Sequence, residues 1–418
     1  MRSVKSVVRL GLLAAIAAAV LAACSSPSAA TEASTQAAAT QAMTQAMTQA
    51  MTEAPTQAAT QAAAADWSTA KSLTDGGGMD ALVAAAQKEG ELNVITLPRD
   101  WCDYGDMMDN FSKKYNIKVN SLNPDGGSAD EIQAIKDNKD NKGPQAPDVI
   151  DVGPAYGPSS KSDNLLAPYK VATWDTIAGQ KDPDGYFFID YSGVLAFEVD
   201  TDVVKNPPQD WPDLLKPDYK GQIGLPGDPR ASNEAAQTVY AAALANGGSL
   251  DNIQPGLDFF KKLNAAGNLL PLIADSGPIG KGETPISIHW NYLALANKDN
   301  FKGNPNIAVI YPKSVAWGGY YYQGISAYAP HPAAARLWEE YLYSDEGQLT
   351  WIKGYCTPAR MADMVSRKVV PDAAIAALPP ADMLAKATIP SPDQLTNARA
   401  LIKDQWDKVV GLDVKSGS

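Results

Sequence analysis

The sequence predicts an α/β fold with a largely parallel sheet. Strand-like apolar runs and amphipathic helical runs alternate along most of the 418 residues, the pattern of repeated strand–helix units. Several strand runs end in Gly or Pro and pass straight to a helix start, as at Gly153-Pro154 and Gly227-Asp228-Pro229. With 45% hydrophobic residues, the chain can bury one large or two medium cores.

The folded body is expected to begin near Asp66. Residues 79–89 have helical apolar spacing, and residues 92–97 read as a strand. A helix over 106–115 and a strand over 117–119 follow. Ser128 opens a helix over 130–136, with Glu131 placed to complete a capping box. Residues 148–152 form a short apolar strand, and 192–199 a longer one. A short helix opens at Trp211, a strand covers 222–225, and a helix covers 233–245. Then come a helix over 257–263, strands over 286–288, 307–310 and 320–328, and an amphipathic helix over 333–343.

The first 23 residues stand apart. Arg2, Lys5 and Arg9 precede an apolar run over 10–23, shorter than the ~20 residues of a membrane span and suited to a signal peptide. The run ends in Leu21-Ala22-Ala23-Cys24, which resembles the bacterial lipobox. That resemblance implies acylation of Cys24, removal of residues 1–23 and a lipid anchor on the extracytoplasmic side of a membrane. No other stretch is long and apolar enough to span one. Residues 24–65 are an Ala/Thr/Gln tract with Thr at every fourth position from Thr40 to Thr60. Such a tract cannot bury enough apolar surface to fold and reads as a spacer with a reach of roughly 130 Å.

Loss of the leader's three positive charges moves the formal charge from −12 to −15. A body this acidic argues against nucleic acid, whose binding depends on Lys and Arg at phosphates. Cys102 and Cys356 either pair in the oxidising compartment or are buried separately. Enzyme signatures are missing: no G-x-S-x-G, H-E-x-x-H or G-x-x-x-x-G-K-[ST] occurs, and the chain has two histidines, His289 and His331. No acid pair stands out by spacing as a glycosidase pair, so a secreted hydrolase is the alternative class, ahead of a structural surface protein.

Residues 199–215, Val-Asp-Thr-Asp-Val-Val-Lys-Asn-Pro-Pro-Gln-Asp-Trp-Pro-Asp-Leu-Leu, and residues 324–348, with Ala329-Pro330-His331-Pro332 and Ser344-Asp345-Glu346-Gly347-Gln348, resemble the two crossover passages of bacterial extracellular solute-binding proteins. The resemblance covers about residues 80–365. It implies the type II periplasmic-binding-protein fold: a first lobe over 66–196, a second over 197–318, and a return to the first lobe with C-terminal helices over 319–418. It also implies a monomer that captures a small polar solute in the interlobe cleft and delivers it to an ABC importer permease, with no cofactor and no catalysis.

Four loops are expected to line that cleft. Asp100, Trp101, Asp103 and Tyr104 resemble the N-W-x-E-Y passage of polyamine-binding members, and their aromatic–acid mixture suits an organic cation. Ser128 lies at a helix start, either as a cap or as a ligand contact, and Asp190-Tyr191 belongs to the same rim. In the second lobe Arg230 either clamps a carboxylate or phosphate or balances Asp228, with Ser232 beside it. The last loop holds His289, Trp290 and Asn291, with Trp101 and Trp290 as facing aromatic walls. Ferric-ion members carry adjacent tyrosines near this point; Trp290-Asn291 stands there instead, so no metal site is expected. A polyamine-like or zwitterionic solute leads, with ferric ion, phosphonate or carboxylate as alternatives.

Overall fold

The computed structural model describes residues 66–415. The leader, Cys24 and the whole Ala/Thr/Gln tract lie outside the described residues. Eleven strands run through the described chain: β1 (Glu91–Ile95), β2 (Lys118–Leu122), β3 (Val149–Val152), β4 (Leu166–Ala167), β5 (Phe188–Asp200), β6 (Ile223–Leu225), β7 (Leu269–Ile273), β8 (Ile286–Trp290), β9 (Ile307–Ile310), β10 (Gly318–Ser326) and β11 (Thr357–Pro358).

β5 organises the molecule. Its thirteen residues, Phe-Ile-Asp-Tyr-Ser-Gly-Val-Leu-Ala-Phe-Glu-Val-Asp, are buried on both faces along nearly their whole length. The first half pairs antiparallel with β10 and β11, and the second half with β8 and β9. One strand therefore belongs to two lobes. β3 and β4 extend the first lobe beyond β10, and β6 pairs with β7 and β8 in the second. The strand order is β3-β10-β5-β8-β6-β7.

The expected largely parallel sheet is corrected to a mixed one. Only the β1–β2, β6–β7 and β6–β8 pairs are parallel. The chain leaves the first lobe along β5 and returns into β10, so these two strands run in opposite directions and impose antiparallel pairing on their neighbours.

At the crossing, Gly193 and Gly319 face each other across the ladder. A Cβ on Gly319 would lie 2.1 Å from the Trp290 ring, and one on Gly193 would lie 2.7 Å from Tyr292. The missing side chains let two second-lobe rings lie flat on the crossing strands. Thr388 pairs with the same crossing beside Trp317. The last helix, Pro392–Val409, then packs on the second-lobe helices Asn233–Ala245 and Gln254–Ala265, with Trp406 against Phe260.

Two local expectations change. β5 begins at Phe188, so Asp190 and Tyr191 lie inside a buried strand rather than on an exposed rim. Ser128 is not the cap of its helix, Ser128–Asn138. Gly127 occupies the cap position, and the Asp130 carboxylate accepts from its N–H at 2.8 Å. That leaves Ser128 and Glu131 free for other partners.

Candidate functional site

The free pair turns to the end of β3. Glu131 Oε2 accepts from the Asp151 N–H at 2.9 Å, and Ser128 Oγ accepts from the Gly153 N–H at 3.0 Å. These bonds tie the helix to the carboxyl end of β3, where open α/β sheets present ligand sites. Asp151 Oδ2 accepts from the Tyr104 hydroxyl at 2.9 Å and from the Tyr191 hydroxyl at 2.8 Å. Gln323 donates to Asp190 at 3.0 Å and to the Tyr104 hydroxyl at 2.8 Å.

Glu131, Asp151 and Asp190 are buried together, and among the described residues no Lys, Arg or His is ion-paired with any of them. Burial is the first cause raising all three carboxyls above their ordinary range. The proximity of Asp151 raises Glu131 and Asp190 further, because charge without a counterion is costly in a low-dielectric site.

Aromatic rings close the other sides. Trp101 meets Tyr292 and Tyr321 edge-on, each at 5.5 Å between ring centres, and its indole N–H donates to the Tyr191 hydroxyl at 2.6 Å. Tyr321 stacks on Tyr191 at 5.7 Å. From the second lobe, Asn233 presses on Gly153, where a Cβ would lie 2.6 Å from its amide carbon.

Buried polar atoms without hydrogen-bond partners gather at this junction: Glu131 Oε1, Asp151 Oδ1, both amide atoms of Asn233, Trp290 Nε1 and the Tyr292 hydroxyl. Asn233 and Trp290 face the Tyr321 hydroxyl without completing a well-formed bond to it. Buried polar groups are ordinarily paired. A convergence of unpaired ones from two lobes makes this junction the candidate site.

The residues singled out from sequence fall into two groups. Trp101, Tyr104, Ser128, Asp190, Tyr191 and Trp290 lie in or directly behind this junction. Trp290 is fully buried against Gly319, and only its N–H is left unpaired. Asp100 is exposed ahead of the Trp101 turn, and Asp103 pairs with Lys353 at 2.9 Å. Of the two readings of Arg230, the structure shows pairing rather than an anion clamp: Asp228, Asp407 and Asp413 hold its guanidinium. Ser232 caps the helix Asn233–Ala245 by accepting from the Ala235 N–H. Asn291 accepts from the Val194 N–H at 2.8 Å and donates to the Tyr355 carbonyl, pinning the end of β8 to the crossing strand. Cys102 and Cys356 form a disulfide. The sequence reading did not include Glu131, Asp151, Asn233, Tyr292 or Tyr321 among the site residues.

His289 turns away from the junction into the second lobe. Its Nε2 lies 2.6 Å from the Ala274 carbonyl and its Nδ1 lies 3.3 Å from Glu234. Both partners are acceptors, so both nitrogens carry protons and the ring is an imidazolium. Burial alone would lower its pKa, but the Glu234 carboxylate outweighs this and raises it to about 9. A folded-state value above the unfolded ~6.5 gives stability that is full below pH ~6.5 and is lost as pH rises through about 9. His289→Gln is expected to remove that loss, seen as a flatter melting temperature between pH 7 and 10; an identical slope in both proteins would refute the imidazolium.

A profile of bacterial extracellular solute-binding proteins matches residues 145–386, more than half of the chain. No curated protein matches by sequence. Among solved structures, the periplasmic binding protein P5PA is 23% identical with a TM-score of 0.61, over 77% of this chain and 99% of that one. Iron-bound HitA from Pseudomonas aeruginosa is 18% identical with a TM-score of 0.57, over 77% and 99%. A putative spermidine/putrescine ABC transporter from Listeria monocytogenes is 16% identical with a TM-score of 0.56, over 75% and 98%. Likeness at these identities speaks for the fold, a two-lobed type II periplasmic binding protein. With the profile match over more than half of the chain, the chain belongs to the bacterial extracellular solute-binding proteins.

Proposed function

We propose that the protein captures a small organic amine between its lobes, outside the cytoplasmic membrane, and delivers it to the permease of an ABC importer. The observation that carries this reading is the buried Glu131–Asp151–Asp190 group, in which Glu131 Oε1 and Asp151 Oδ1 lack a partner and which has no ion-pair partner among the described residues. A protonated amine supplies the missing charge and N–H donors, and the rings of Trp101, Tyr191, Tyr292 and Tyr321 suit its alkyl chain and its charge. Arg230 is sequestered by three carboxylates and is not free to clamp an anion. Arg399, bonded to Tyr156 and to the Ala231 carbonyl and without an ion pair among the described residues, is the cation an anionic solute would use. Ferric ion is the remaining alternative, disfavoured because Trp290-Asn291 stands where ferric-ion members carry adjacent tyrosines.

The test is melting of the purified protein with putrescine, spermidine, ferric citrate, a phosphonate and a sugar phosphate. An amine at 100 times its dissociation constant stabilises by about 2.7 kcal/mol. A shift with ferric ion or the phosphonate and none with either amine would overturn the reading, and consumption of the bound compound would move the protein to the enzymes. We further propose that Cys24 carries the lipid anchor. Cys24→Ala is expected to abolish membrane association on fractionation; unchanged association would reject the anchor.

A further inference from the structure

We propose that the Cys102–Cys356 disulfide is a positioning element for ligand capture, holding an otherwise unfavourable turn that sets Trp101 and Tyr104 in the cleft. Cys102 and Asp103 are consecutive left-handed residues, with φ of 48° and 61°. Side chains adopt that region at a cost, and neither residue is glycine, so something outside the turn must hold it. Three contacts from one segment do so. Cys356 is bonded to Cys102. Gly354 lies so close that a Cβ there would be 2.4 Å from the Cys102 carbonyl carbon. Lys353 pairs with Asp103 and Asp106.

The turn has Trp101 on one side and Tyr104 on the other. The first donates to Tyr191 at 2.6 Å and the second to Asp151 at 2.9 Å. The clamping segment also reaches the second lobe, since the Tyr355 carbonyl accepts from Asn291 and the Tyr355 hydroxyl bonds Asp299. The disulfide therefore fixes the cleft-facing turn to a segment that touches both lobes.

This inference rests on the cleft reading above, and the test separates the two. Parent, Cys102→Ser/Cys356→Ser and Cys102→Gly/Cys356→Ser are compared in two assays at 20 °C, well below melting. The first is hydrogen exchange of the peptide covering residues 99–106, which needs no ligand. The second is spermidine binding by calorimetry. The serine pair is expected to exchange this segment at least about tenfold faster and to bind spermidine at least about tenfold more weakly. Glycine adopts the left-handed region freely, so the glycine variant should recover much of both losses. A cross-link that only stabilises the fold predicts the reverse, because glycine adds chain entropy to the unfolded state. Unchanged exchange in the serine pair, or a glycine variant no better than serine, overturns the proposal. If the parent does not bind spermidine, the amine reading fails while the exchange result still decides this one.

Discussion

Glu131→Gln/Asp151→Asn is expected to weaken spermidine binding at least about 100-fold while leaving the ligand-free protein as stable as its parent or more so. The two effects have one cause. In the ligand-free protein the two carboxyls are buried beside Asp190 with no ion-pair partner among the described residues, so ionising them costs desolvation and mutual repulsion. The amides keep the bonds the fold needs: Gln accepts the Asp151 N–H through its carbonyl, and Asn accepts the Tyr104 and Tyr191 hydroxyls the same way. The Asn N–H₂ then faces Asp190 as a donor. A bound ammonium loses two charge-assisted acceptors, each worth about 1.5–3 kcal/mol, and each 1.4 kcal/mol is tenfold in affinity. Calorimetry gives the affinity and melting gives the stability. A variant that binds like the parent, or one that loses stability and affinity together, would place these carboxyls in the fold rather than the site.

How much of this was legible in the sequence depends on what each signal encodes. The strand–helix alternation and the two crossover passages reflect local periodicity and turn chemistry, and they lead to the right fold class. The mixed sheet was hidden because strand direction is set by which strands become neighbours, which no local pattern records. Trp101 and Tyr104 were legible because an aromatic–acid mixture is unusual at a strand end. Glu131 was concealed by a better-known role: three residues after Ser128 it looks like half of a capping box, whereas Gly127 and Asp130 form the cap. Asp151 stands at the end of β3, where the rule about strand ends points, but it reads as one polar residue in an apolar strand. Asn233 and Tyr321 come from distant parts of the chain, and only the closing of two lobes brings them to Asp151. Arg230 was half legible. Its neighbour Asp228 is visible in sequence and left pairing open beside an anion clamp, but Asp407 and Asp413, which complete the neutralisation, lie far along the chain.

Spermidine affinity is expected to rise with pH between 5 and 7, by up to about tenfold per unit, while the ligand-free protein becomes less stable over the same range. Glu131, Asp151 and Asp190 all have folded-state pKa values raised by burial, against ordinary values near 4. Above pH ~4 the folded, ligand-free protein therefore holds protons that the unfolded chain has lost. Stability falls with pH wherever the native state binds more protons than the unfolded one, so the window opens near pH 4 and extends up through the raised values. A bound ammonium reverses the preference of these groups. It favours the ionised carboxyls, so binding releases protons, and each proton released adds a slope of about one decade per pH unit. Amines of the lysine kind stay protonated to pH ~10, which keeps the ligand's charge constant across the experiment. The phenols of Tyr104 and Tyr191, pushed well above 10 by burial, also stay neutral. His289 lies in the other lobe and keeps its proton to about pH 9, so it adds no slope to the affinity below 7, although its own contribution to stability begins to fall above pH ~6.5. Calorimetry in two buffers of different ionisation enthalpy counts the protons released, and Glu131→Gln/Asp151→Asn should flatten the profile. An affinity independent of pH from 5 to 7, with no proton release, would mean that the carboxyls do not meet the amine.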